Sequence, residues 1–158
     1  MRLGTGQGTW VAGPAPTVTG IYMDVAVADF NGDGRLDIAG AGWGMRGALR
    51  VWLGNPAGGW TALAPVSRGN FYGLHAADIN GDGLKDIVCS VQRQSSGLMV
   101  WLNGPEGAWE KGQSPVHINN YEGIELADVN NDGFYDIVAA NATADSHGGV
   151  QVWLGNGK

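Results

Sequence analysis

The chain has 158 residues, 28 of them glycine, with a formal net charge of −6 and a single cysteine. Glycine far above the roughly 7% of average usage, without a Gly-X-Y period, excludes a collagen-like chain. No apolar run reaches the roughly 18 residues of a membrane-spanning helix, and no basic cluster offers a footprint for nucleic acid or an anionic membrane.

In chain order, the first strand-like segment is 9–12, TWVA. It sits within LGTGQGTWVA, which aligns with LGNPAGGWTA at 53–62. A strand at about 22–30 runs into the Asp-rich turn DFNGDGRLDI. Further strands follow at 36–41, 48–53 and 60–66. The turn then recurs as DINGDGLKDI and DVNNDGFYDI, starting at Asp29, Asp78 and Asp128. Each copy is followed by a second marker (VWLGN at 51–55, VWLNG at 100–104, VWLGN at 152–156). Trp10, Trp60 and Trp109 form a third marker. Cys89 lies in the apolar run DIVCSV and reads as a small buried hydrophobe.

Four short strands in a recurring unit of about 50 residues match the blade of a β-propeller better than a sandwich, whose Greek keys vary from strand to strand. The expected fold is all-β, a single repeat domain over 1–158. Blade 1 spans 21–69, blade 2 spans 70–119, and blade 3 spans 120–158 and lacks its outermost strand. Residues 1–20 carry an outermost strand and its connection. Three blades are too few to close a ring, since propellers use about four to eight. The expected assembly is a head-to-tail homodimer, a six-bladed ring in which each chain's N-terminal strand completes the partner's third blade. The other reading is a fragment of a larger propeller.

The turns read as nine-position metal loops. In the first, Asp29, Asn31, Asp33 and Asp37 supply side-chain oxygens and Arg35 its backbone carbonyl. The second has Asp78, Asn80, Asp82 and Asp86 with the carbonyl of Leu84. The third has Asp128, Asn130, Asp132 and Asp136 with that of Phe134. Oxygen ligands in a flexible turn suit Ca²⁺, three per chain. Gly34, Gly83 and Gly133 stand where the chain must turn sharply. An EF-hand would need a Glu at position 12, but Gly40, Cys89 and Ala139 occupy it. Nine of the fifteen acidic residues belong to these loops, so the acidity reads as metal chemistry.

These loops, with a strand before and the apolar DI after, resemble the FG-GAP repeats of integrin α-subunit propellers and related bacterial proteins. The resemblance implies calcium between the first two strands of each blade and partner binding on the opposite face. It also implies an extracellular or secreted natural context, although the N-terminus shows no signal-peptide core.

On that opposite face the connecting segments differ most between units. Trp43, which has no counterpart in the other units, and Arg46, Tyr22, Tyr72 and Tyr121 are the ligand candidates. His75 and Glu125 join them, sharing one repeat position three residues before the loop Asp. Aromatic rings beside planar polar groups suit a sugar. Fungal lectins with similar propellers point the same way. The expected function is therefore a calcium-stabilised, lectin-like binding module and not an enzyme, since no nucleophile elbow, phosphate loop or zinc helix is present. A protein-binding propeller, or a self-assembling scaffold without a ligand, engineered or ancestral in character, is the alternative.

Overall fold

Runs such as DIAGAGW and DIVCSV are too short for stable helices and are bounded by turn residues, so they pair with the runs beside them. The computed structural model describes residues 2–4, 6, 8–16, 19–44, 48–63, 66–92, 97–116, 118–142 and 148–157. All pairing between strands is antiparallel. An N-terminal hairpin joins β1 (Arg2–Gly4) and β2 (Trp10–Ala12). The first sheet runs β3 (Ile21–Ala28), β4 (Asp37–Trp43), β5 (Ala48–Gly54) and β6 (Trp60–Ala62), with β7 (Ser67–Arg68) further along β5. The second is β8 (Phe71–Ala77), β9 (Asp86–Val91), β10 (Gly97–Asn103) and β11 (Trp109–Lys111). A 3₁₀ turn, Pro105–Gly107, joins β10 to β11. The third sheet is β12 (Tyr121–Ala127), β13 (Asp136–Asn141) and β14 (Gly149–Trp153), and β14 has no further neighbour among the described residues.

The outer strand expected over 60–66 is shorter than read from sequence. Ladder pairing stops at Ala62, the N–H groups of Leu63 and Val66 still donate to the Val51 and Leu49 carbonyls of β5, and strand pairing resumes with β7 at Ser67. The inner strand ends at Ala28 because Asp29 already begins the turn.

The three sheets repeat in register. Ala28 pairs with Asp37, Ala77 with Asp86, and Ala127 with Asp136. Ile38, Ile87 and Ile137 face Trp52, Trp101 and Trp153. Gly54 meets Trp60 and Asn103 meets Trp109, and the hairpin repeats this pairing with Gly4 opposite Trp10. Each inner strand carries an irregularity near its start, between Tyr22 and Asp24, Phe71 and Leu74, and Tyr121 and Gly123.

Side chains on alternate faces pack one sheet on the next. Ala39, Ala41, Leu49 and Val51 of the first sheet meet Phe71, Leu74, Ile87, Cys89 and Val91 of the second. Val88, Leu98 and Val100 of the second meet Tyr121, Ile124, Ile137 and Ala139 of the third. The middle sheet is covered on both faces. Every residue of β9 is therefore buried, and between Asp86 and Ser90, both of which accept backbone hydrogen bonds, its sequence runs apolar without alternation. Cys89 lies inside this core, where burial pushes its thiol pKa up and makes it unreactive.

Candidate functional site

The three Asp turns share one hydrogen-bonding scheme. One carboxylate oxygen of Asp29 accepts the N–H groups of Gly32 (2.8 Å) and Asp33 (3.2 Å), and the other accepts that of Gly34 (2.8 Å). Asn31 Oδ1 accepts from the Asp33 N–H and Asp33 Oδ1 from the Arg35 N–H. Asp78 receives Gly81, Asp82 and Gly83 in the same way, and Asp128 receives Asp132 and Gly133. This wrap needs a left-handed residue at position 6, supplied by Gly34, Gly83 and Gly133 at φ +81°, +91° and +90°. Position 4 is left-handed too, and Asn131 adopts it (φ 61°) where the other loops have glycine.

The ninth residue of each loop does something the sequence reading did not foresee. Asp37, Asp86 and Asp136 are fully buried. One oxygen of each accepts the N–H just after the loop's first Asp, that of Phe30, Ile79 or Val129, at 2.8–2.9 Å. The other accepts the N–H at the end of the third strand, that of Gly54, Asn103 or Gly155, at 2.8 Å. Each carboxylate thus ties the loop to two strands. Burial raises the pKa of Asp86, and the N–H groups of Asn103 and Ile79 pull against that rise. The signal lay in the position itself, since an Asp opening an otherwise apolar strand must find donors.

Among the described residues, no group of three or more His, Cys, Asp or Glu side chains converges as a ready-made metal cage. The donor set nonetheless fits a hard cation. Asp29, Asn31 and Asp33 bring five side-chain oxygens into one turn, and carboxylate oxygens that accept backbone N–H groups retain further lone pairs. Asn31 Nδ2 donates to Asp33 Oδ2 at 3.2 Å, so a side-chain donor already faces that carboxylate where a cation would. Asn80 and Asn130 repeat the contact with Asp82 and Asp132. The Asp, Asn and Asp of each loop, the carbonyl of Arg35, Leu84 or Phe134, and a remaining lone pair of the ninth Asp would hold the ion.

The opposite end of the sheets is where β4 finishes and β8 begins. There Trp43 and Tyr72 meet edge to face across two sheets, with ring centroids 6.2 Å apart at 76°. Gly44 N–H donates to Asn70 Oδ1 beneath them at 2.9 Å, which fixes the junction. Both residues are half-buried.

The other ligand candidates are not gathered with this pair. Tyr22 packs edge-on against Trp52 at 5.4 Å, on the far face of the first sheet. Tyr121 is fully buried beside Trp153, and its hydroxyl bonds to Gln151 at 2.7 Å, so it leaves no ring face for a ligand. Its repeat position puts it inside the interface between the second and third sheets. His75 Nε2 lies 3.1 Å from Glu125 Oε2 on the neighbouring innermost strands, three residues along β8 from Tyr72. Arg46 lies outside the described residues.

Two staples between sheets were also hidden in the repeat. Asp24 stands where the other units have Gly73 and Gly123, and its Oδ2 accepts the Leu74 N–H at 2.9 Å. Asn103 replaces the glycine of VWLGN, and its Nδ2 donates to the Phe30 carbonyl at 2.7 Å. Asn103→Ala is expected to lower stability by about 1–2 kcal/mol, read as an earlier midpoint in urea unfolding.

Repeated antiparallel sheets stacked face to face, each carrying an Asp loop between its first two strands, define a repeat protein of β-propeller type. The family model described as FG-GAP-like repeat matches residues 29–89 and 78–139, together more than two thirds of the chain, and the chain belongs to this family. A comparison with curated proteins gives no match. FG-GAP repeats occur in extracellular proteins, and among the described residues no helix is long and apolar enough to cross a membrane.

Proposed function

We propose that the chain is a calcium-stabilised propeller module that closes a six-bladed ring with a second copy and binds carbohydrate on the face away from the Asp loops. The Trp43–Tyr72 pair carries the ligand reading. It places two half-buried aromatic residues from neighbouring blades at one junction, beside Asn70, a combination that suits stacking on a sugar ring with polar groups for its hydroxyls. The module acts by binding, not catalysis. The only acid–base pair among the candidates, His75 with Glu125, is bound to itself.

The ring reading is supported by equivalence of faces. Val138, Ala140, Val150 and Val152 of blade 3 occupy the repeat positions of Ala39, Ala41, Leu49 and Val51, which bury against blade 2. Val150 and Val152 are 72% and 49% exposed. On blade 1, Val25 is 58% exposed, whereas its counterparts Leu74 and Ile124 are 3% and 8% exposed in the interfaces between blades. The uncovered face of blade 3 therefore matches the uncovered face of blade 1 of another copy.

A glycan array in the presence of calcium tests the ligand. Binding to a defined set of sugars is expected, with Trp43→Ala weakening it at least about 10-fold. Sugar binding indifferent to that change moves the site elsewhere. A well-formed ring that binds no sugar supports the protein-binding or scaffolding alternative.

A further inference from the structure

We infer that Trp10 is the anchor of the self-association, and that it seats in a groove at the open edge of blade 3 of a second copy. The inference rests on the ring reading above and names the contact that holds the ring.

Within the chain, the first residue of each outermost strand is a tryptophan with a defined seat. Trp109 lies opposite Asn103 and leans on Phe30 of the preceding blade, with ring centroids 6.0 Å apart. Phe30, Leu53 and Asn103 line the cleft it occupies. One blade further on, the same positions hold Ile79, Leu102 and Gly155, and they line a groove of about 450 Å³ together with Ile137, Trp153 and Leu154. No tryptophan fills this groove, because no strand follows β14 among the described residues. Leu154 at its rim is 64% exposed.

Trp10 is the matching part. It begins β2 and lies opposite Gly4, as Trp60 lies opposite Gly54 and Trp109 opposite Asn103. It is nevertheless 60% exposed, with Val11 beside it 55% exposed. Pairing of β2 with the edge of β14 in the shared register sets Trp10 opposite Gly155 and over Ile79, the place Trp109 takes over Phe30. The sequence RLG of β1 stands at the repeat position of the final WLG, so β1 and the partner's β14 compete for one edge of β2. Association is thus an exchange of strand partners. Burying an exposed indole and covering an open sheet edge both favour it.

Light scattering and sedimentation across protein concentrations, in calcium, test this with the intact chain, Trp10→Ala, Leu154→Ala and the double variant. The expected result is a dimer whose dissociation constant rises at least about 30-fold in Trp10→Ala, as for a central aromatic anchor. Leu154→Ala weakens it too, and the double variant by less than the product of the two, because the residues share one contact. Unchanged far-ultraviolet circular dichroism confirms that the exposed Trp10 is not needed for the blades to fold. A dimer indifferent to Trp10→Ala overturns the anchor and leaves the ring standing. A chain that stays monomeric at every concentration, its edges then suiting further blades of a longer chain, overturns both.

Discussion

Removing calcium is expected to lower the melting temperature of the chain by on the order of 15 °C or more. Each loop that binds only in the folded state contributes about 2.7 kcal/mol at a hundredfold excess of free ion over its dissociation constant. Three loops therefore add about 8 kcal/mol, and each kcal/mol shifts the melting of a domain this size by about 2–4 °C. The sign follows from the loops themselves. Asp29 and Asp33, like their counterparts, are held close by backbone N–H groups, and without a cation their charges repel. Thermal unfolding in excess chelator, followed by restoration with calcium, measures the effect. Melting that chelator leaves unchanged contradicts a stabilising role for the metal.

The second large effect belongs to the buried ninth Asp, and it persists without metal. Asp86→Ala strips acceptors from the N–H groups of Ile79 and Asn103, and a buried donor without a partner costs about 1–3 kcal/mol. Relief from burying a carboxylate offsets part of this, so a net loss of about 2–4 kcal/mol is expected. Asp86→Asn recovers little of it, because its amide nitrogen must face one of the two N–H donors. Asp82→Ala provides the contrast. Asp82 is exposed, so in chelator its replacement costs less than about 1 kcal/mol, whereas in calcium it removes a ligand and costs more. Urea unfolding of the three variants with and without calcium separates the two roles. Equal losses for Asp82→Ala and Asp86→Ala in chelator would count against the clamp.

The repeat and the strand order were legible because both are periodic in sequence. The Asp turns recur in register, and each apolar run between them lies on a sheet whose neighbours are copies of itself. That same regularity concealed the particulars. Tyr121 and Tyr22 share a repeat position with Phe71, yet Tyr121 is sealed between two blades while Tyr22 stays half-buried against Trp52 on the side of blade 1 away from blade 2. Burial at this position depends on whether another blade precedes it in the stack, which no local pattern encodes. The Trp43–Tyr72 pair was legible as two residues and not as one junction, since the contact spans two sheets. Asn103 and Asp24 were visible as departures from the repeat. Their targets, the Phe30 carbonyl and the Leu74 N–H, appear only when the sheets are stacked. The ninth Asp was assigned to metal by its spacing. Its burial and its two backbone partners follow from its place at the start of a strand inside the stack.

Calorimetric titration of calcium into metal-free chain tests the central claim most directly. Three equivalents bound per chain are predicted, falling to two when Asp78, Asn80 and Asp82 are replaced by Ala. Absence of calcium binding, or a stoichiometry that those replacements leave at three, would contradict the account.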